Sequence, residues 1–101
     1  MIDIKPHDLK VVKLILERRV PGYEVWAFGS RVKGTARSYS DLDLVILSQE
    51  RIPLRELCYI KEDFEESTIP FRVDVLDWST VTDSFRNVIK ECYEIIKKAN
   101  E

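Results

Sequence analysis

The sequence predicts a small mixed α/β domain, with a three- to four-stranded mixed sheet and helices packed on one face. Three observations lead there. Residues 23–28 form a short β-prone run, and the strands over 42–47 and 71–76 divide their side chains between two faces. Between and after those runs apolar residues recur at helical spacing instead. The resulting order is helix, strand, loop, strand, helix, strand, helix, which interleaves the two periods along a single domain of residues 1–101.

Each element has its own signal. Over residues 8–19, Leu9, Val12, Ile15 and Leu16 fall on one helical face, and Pro21-Gly22 ends the segment. The run over 23–28 stops at Gly29-Ser30. A polar stretch over 31–40 follows, read as a short helical turn and a loop around Gly34. In the strand over 42–47, Leu42, Leu44 and Ile46 face one way, while Asp41, Asp43, Val45 and Leu47 face the other. Leu54, Leu57, Cys58 and Phe64 mark a helix after Pro53. Pro70 introduces the strand over 71–76, with Arg72, Asp74 and Leu76 opposite Val73 and Val75. Thr80-Val81-Thr82-Asp83 reads as a helix start of the capping-box kind, with Asp in place of Glu. The final helix then carries Val81, Phe85, Val88, Ile89, Cys92 and Ile96 as its apolar stripe. With the helices on one face, the carboxylates are expected on the open face.

Composition narrows the function classes. Apolar residues make up 45% of the chain and charged residues 34%, yet the net charge is only −2, which argues against a general nucleic-acid binder. Cys58 and Cys92 lack metal-ligand spacing and read as buried free thiols in a reducing compartment. No apolar stretch approaches the roughly 18 residues of a membrane span, and no secretory signal is visible. A cytoplasmic protein with no membrane association is expected. Glu62-Asp63 and Glu65-Glu66 read as a solvated helix face, and His7 as incidental. Trp26, Phe28, Trp78 and Phe85 read as core rather than as a base-stacking platform.

The chemistry concentrates in three acids and one turn. Asp41 and Asp43 leave the same strand face about 6.5 Å apart along the backbone, a spacing from which two carboxylates can share a hard cation. Asp74, on another strand, supplies a third corner if the two strands are neighbours. Three acids brought together repel one another unless cations neutralise them, and two metals about 3.5–4 Å apart would do so while stabilising a phosphoryl-type displacement. Gly29 lets backbone approach a phosphate closely, and Ser30 adds a hydroxyl and an N–H. Arg31, Lys33 and Arg37 surround this turn as candidate sources of positive charge. Each piece alone is ordinary. The combination is far more specific.

That combination resembles the nucleotidyltransferase superfamily shared with DNA polymerase β and the antibiotic nucleotidyltransferases. The pattern is Gly29-Ser30, ten residues, Asp41-Leu42-Asp43, and then Asp74 within Val73-Asp74-Val75. FGSRVKGTARSYSDLDLVI and VDVLDWSTVTDSFRNVIK are similar to the stand-alone minimal nucleotidyltransferases of bacteria and archaea. The resemblance implies a nucleotidyltransferase fold and transfer of AMP from ATP to a hydroxyl. Asp41, Asp43 and Asp74 would hold two Mg²⁺ ions and carry catalysis. Gly29, Ser30, Arg31, Asp41 and Asp43 would bind the nucleotide. It further implies a partner of the HEPN class, an RNase toxin adenylylated at a tyrosine, with this chain as antitoxin.

A domain of this size has no room for a second lobe to position an acceptor, which also argues for a partner chain. A homodimer or a mixed assembly with that partner fits. Two alternatives stay open at this level: an antitoxin that binds nucleotide but neutralises its partner by masking, and a small-molecule nucleotidyltransferase acting on an antibiotic.

Overall fold

The computed structural model describes residues 2–100. Its elements run α1 (Pro6–Arg19), β1 (Val25–Phe28), α2 (Ser30–Lys33), β2 (Leu42–Ile46), α3 (Leu54–Glu66), β3 (Val73–Asp77), a 3-10 turn (Trp78–Thr80), α4 (Asp83–Glu91) and β4 (Tyr93–Lys97). The strands form one sheet in the order β3-β2-β1-β4. β2 and β3 are parallel and joined through α3, whereas β1 is antiparallel to both β2 and β4. The sheet is therefore mixed.

α1 begins two residues before the expected Asp8, because Pro6 at the helix start brings a pre-set φ and lacks an N–H that would have no intrahelical partner. Its buried Val12 and Leu16 pack with Val25 and Ala27 of β1, Leu42, Leu44 and Ile46 of β2, Ile60 and Phe64 of α3, and Val73 and Val75 of β3. Each fully buried aliphatic side chain in this cluster contributes about 1.5–3 kcal/mol. A bidentate pair ties α1 to α3: Arg19 Nε and Nη2 donate to Asp63 at 2.5 and 3.0 Å. Arg19's hydrogen bonds hold the Asp63 carboxyl below its ordinary range, against the opposing push of burial. Asp63 is thus not part of a solvated face, as the acidic run suggested.

The other face carries a smaller cluster. Phe28, Val45 and Ile89 are buried there, with Trp26, Leu47, Leu76, Trp78 and Val81 packed around them. Ile89 comes from α4, so the helices divide between the two faces: α1 and α3 cover one, and α4 covers part of the other. α4 starts after Thr82, whose hydroxyl accepts from the Phe85 amide at 3.3 Å.

The expected last helix through Ile96 stops at Glu91. Tyr93, Ile95 and Ile96 suit a strand, and pairing with β1 decides the matter. Ile96 joins the large core, while Tyr93 stacks on Trp26 with ring centroids 4.0 Å apart. The buried Lys97 ends β4, its Nζ donating to the carbonyls of Val20, Pro21, Tyr23 and Lys98. The thiols also differ from expectation: Cys58 is exposed and Cys92 half-buried, both free. Among the described residues no helix is long and apolar enough to cross a membrane.

Candidate functional site

β1 leads directly into the turn that the sequence singles out. At Gly29 the backbone takes φ 82° and ψ −158°, in the region that favours glycine, and the chain turns at once into α2. A side chain is excluded here for a second reason. A Cβ on Gly29 would run into the Asp43 carboxylate, whose Cγ lies 3.3 Å from that point. The Gly29 carbonyl accepts from the amides of Val32 and Lys33, both at 3.0 Å, which fixes the turn. Ser30 heads α2 and is half-buried.

The pairing registers align the site. Phe28 pairs with Asp43, and Asp43 pairs with Asp74, so Gly29 follows a strand end that lies level with both carboxylates. Neighbouring strands stand about 4.8 Å apart, which puts the two acids within reach of one small ligand. Asp41 precedes β2 and alternates onto the same face as Asp43. All three acids are half-buried.

Their charges are felt. Burial pushes the Asp43 carboxyl above its ordinary value, Asp74 and then Asp41 push it further, and Arg72 pulls it back. Arg72 is also the direct partner of Asp74, with Nη2 and Nε at 3.0 and 3.1 Å from Asp74 Oδ1. Among the described residues no three His, Cys, Asp or Glu side chains stand together as a ready metal cage. The donor set nonetheless suits Mg²⁺: its donors are carboxylate oxygens, and the crowding felt at Asp43 is what a cation would relieve.

The basic residues separate. Arg31 is buried, its guanidinium donating to the carbonyls of Asp3, Ser38 and Ser40 while lying 4.0 Å over the Phe71 ring. It holds the 31–40 loop closed, a structural role beside the nucleotide-binding one expected of it. Lys33, two residues on, is exposed and lines a cavity of about 220 Å³ together with Phe28, Gly29, Asp43, Phe85 and Val88. Arg37 sits exposed in the loop and lines neither this cavity nor the one beside Asp74 described below.

Of the aromatic residues expected in the core, Trp26, Phe28 and Trp78 are packed, but Phe85 is 40% exposed at the cavity rim, edge-on to Phe28. The Arg86 guanidinium donates to the Trp78 carbonyl and lies 4.9 Å over its ring, fastening α4 to the end of β3.

Sequence reasoning missed Asp77. It is buried at the end of β3 and accepts hydrogen bonds from the Ser48 hydroxyl, the Ile52 amide, and both the amide and hydroxyl of Ser79. Burial pushes this carboxyl up, but those donors outweigh it and leave it below the ordinary range. It ties the segment after β2 to β3 and so secures the strand pair that carries Asp43 and Asp74. A lone Asp closing a run of alternating valines is the only sequence signal for it.

The family model for the nucleotidyltransferase domain matches residues 9–98. The chain is 50% identical over 97 residues to the "Probable protein adenylyltransferase MntA" of Haemophilus influenzae, covering 96% of this chain and 85% of that protein. It superposes on a toxin–antitoxin crystal structure with AMP-PNP at a TM-score of 0.76 and 16% identity, covering 91% of this chain and 74% of the other. A structure of the tri-AMPylated Shewanella oneidensis HEPN toxin in complex with MNT antitoxin gives 0.72 and 14%, with 95% and 74% covered. At these identities the solved structures establish a shared fold.

Proposed function

The chain belongs to the nucleotidyltransferase domain family, and from that premise we propose that it is an ATP-dependent protein adenylyltransferase serving as antitoxin to a HEPN-type partner. The observation that carries this reading is the level row formed by the Gly29 turn, Asp43 and Asp74 on three adjacent strands. The name of the Haemophilus influenzae relative and the toxin complexes among the structural neighbours supply the substrate class.

In this mechanism the Gly29-Ser30 turn grips the triphosphate by its backbone, because Gly29 offers no side chain to hold the phosphates away. Lys33 adds positive charge from the cavity wall. Asp41, Asp43 and Asp74 would hold Mg²⁺, two ions in the full complex, which when bound supplies charge neutralisation for the entering and leaving oxygens. Asp74 orients the acceptor hydroxyl, a tyrosine in this reading, and takes its proton as the oxygen forms a bond to the α-phosphorus. The bond from that phosphorus to the bridging oxygen breaks, and pyrophosphate leaves. Positioning and charge stabilisation do most of the work in such transfers.

A second reading has one observation in its favour. Asp74 is held in an ion pair by Arg72, as a protein that binds its partner without turnover would permit. Intact mass of the HEPN-type partner after incubation with this chain, ATP and Mg²⁺ separates the two. A gain of AMP units, abolished by at least about 10²–10³-fold in Asp41→Asn/Asp43→Asn, supports the enzyme. A stable, neutralised complex with no mass gain sinks it in favour of masking.

A further inference from the structure

We infer that the cleft along the outer edge of β3 is the channel by which the acceptor segment reaches Asp74, with Lys61 and Glu65 reading its charge. This rests on the adenylyltransferase reading above and gives it a direction.

In-line displacement places the entering and leaving oxygens on opposite sides of the α-phosphorus. Strand order makes that requirement geometric. The Gly29 turn stands at the end of β1, Asp43 on β2 and Asp74 on β3, so the three positions run in one direction across the sheet. A triphosphate gripped at Gly29 sends its pyrophosphate off on the β1 side. The hydroxyl must then arrive from the β3 side, about two strand spacings, or roughly 10 Å, away.

β3 is an edge strand, so no further strand blocks that approach. A cavity of about 440 Å³ lies there, bounded by Lys61, Phe64 and Glu65 of α3, by Ile69, and by Arg72 and Asp74. Its volume falls within the range of about 300–1,000 Å³ typical of sites that enclose a ligand. The floor is apolar, since Phe64 and Ile69 are 4% and 9% exposed. Arg72 and Asp74 supply its polar boundary at the strand edge. An apolar floor beside a polar boundary fits a side chain with an apolar body and a hydroxyl tip.

The rim is charged in alternation. Lys61 and Glu65 are exposed one helical turn apart on α3, and the exposed Arg72 borders the same cavity. No such pair borders the smaller cavity at Gly29, whose wall holds Lys33, Asp43, Phe85 and Val88. The two cavities thus divide the labour: nucleotide at one, polypeptide at the other. Residues flanking the acceptor hydroxyl meet Lys61 and Glu65 before the hydroxyl meets Asp74, which makes those two the selectors of acceptor sequence.

The test compares wild type with Glu65→Trp, which fills the cleft from an exposed helix position, and with the charge exchange Lys61→Glu/Glu65→Lys. Two quantities are read for each: affinity for Mg²⁺–ATP by titration calorimetry, and KM for the HEPN-type partner in the transfer assay. Both variants should keep nucleotide affinity within about twofold while raising the partner's KM by about tenfold or more. An unchanged KM in the two variants overturns the channel and leaves the adenylyltransferase reading standing. Failure of the wild-type chain to transfer AMP at all takes down both.

Discussion

On the α1–α3 face of the sheet, alternate residues of β2 and β3 disappear among aliphatic side chains, from Leu42 and Leu44 to Val73 and Val75. On the α4 face the intervening positions include Asp43 and Asp74, beside a cluster of only three buried residues. The acids of the two faces differ in the same sense. Asp63 and Asp77, on the core side, are each supplied with hydrogen-bond donors and held below their ordinary range. Asp43, on the site side, is pushed above it first by burial and then by its acidic neighbours Asp74 and Asp41. On one face the carboxylates Asp63 and Asp77 are answered by donors. The other keeps a charge deficit for a ligand to answer.

That contrast can be broken at several strengths. The largest effect expected is on the core face: Leu44→Ala should cost about 2–5 kcal/mol in denaturant unfolding, since it opens a cavity between α1, α3 and the sheet. Asp41→Asn/Asp43→Asn, by removing repulsion, should leave the unfolding midpoint unchanged or higher. A comparable loss in the two variants would erase the distinction between the faces.

The next effect separates two neighbours in one short helix. Arg31→Met strips three backbone carbonyls of their donor and should cost about 1–3 kcal/mol in a thermal or denaturant melt. Lys33→Met should leave the melt unmoved and weaken Mg²⁺–ATP binding several-fold, by about 1 kcal/mol. Nucleotide affinity that falls with Arg31 but not Lys33 would favour the nucleotide-binding role expected of Arg31.

The smallest effect is in pH dependence. Asp63 and Asp77 have folded pKa values below their unfolded ones, so they bind fewer protons when folded, and their stabilisation is present above the unfolded value of about 3.9. It is lost as pH falls from there through their lowered folded values. Asp43 carries the opposite sign: its raised folded pKa makes the folded protein slightly more stable as pH falls through that value toward about 3.9. A melt series should therefore show the acid limb steepen below about pH 4. Asp43→Asn should remove the small gain above that limb and leave the limb itself in place. A limb unchanged in Asp63→Asn/Asp77→Asn would deny those two acids their part in it.

Much of this was legible in the sequence. The alternation through β2 assigned Leu42, Leu44 and Ile46 to one face and Val45 and Leu47 to the other, as the two clusters show. The face carrying Asp43 and Asp74 was readable for the same reason. The last segment was not. Cys92 and Ile96 lie four apart and extend a helical stripe as well as they fit a strand, and only the free edge of β1 resolves the choice. The structural role of Arg31 was not legible, because nothing local shows that Asp3, Ser38 and Ser40 bring their carbonyls to it. Asp77 was overlooked because two of its donors, Ser48 and Ile52, come from far back in the chain.

The level row of Phe28, Asp43 and Asp74 has an effect on how errors in folding are filtered. Strand positions have a parity. If β3 slid one residue along β2, Asp74 would turn toward the α3 side and Val73 and Val75 would turn to water. The same slip that dismantles the site exposes the core, so a misaligned chain is marked for unfolding rather than left as a stable, inactive impostor. In this domain a folded molecule is, by construction, one whose acids are in line.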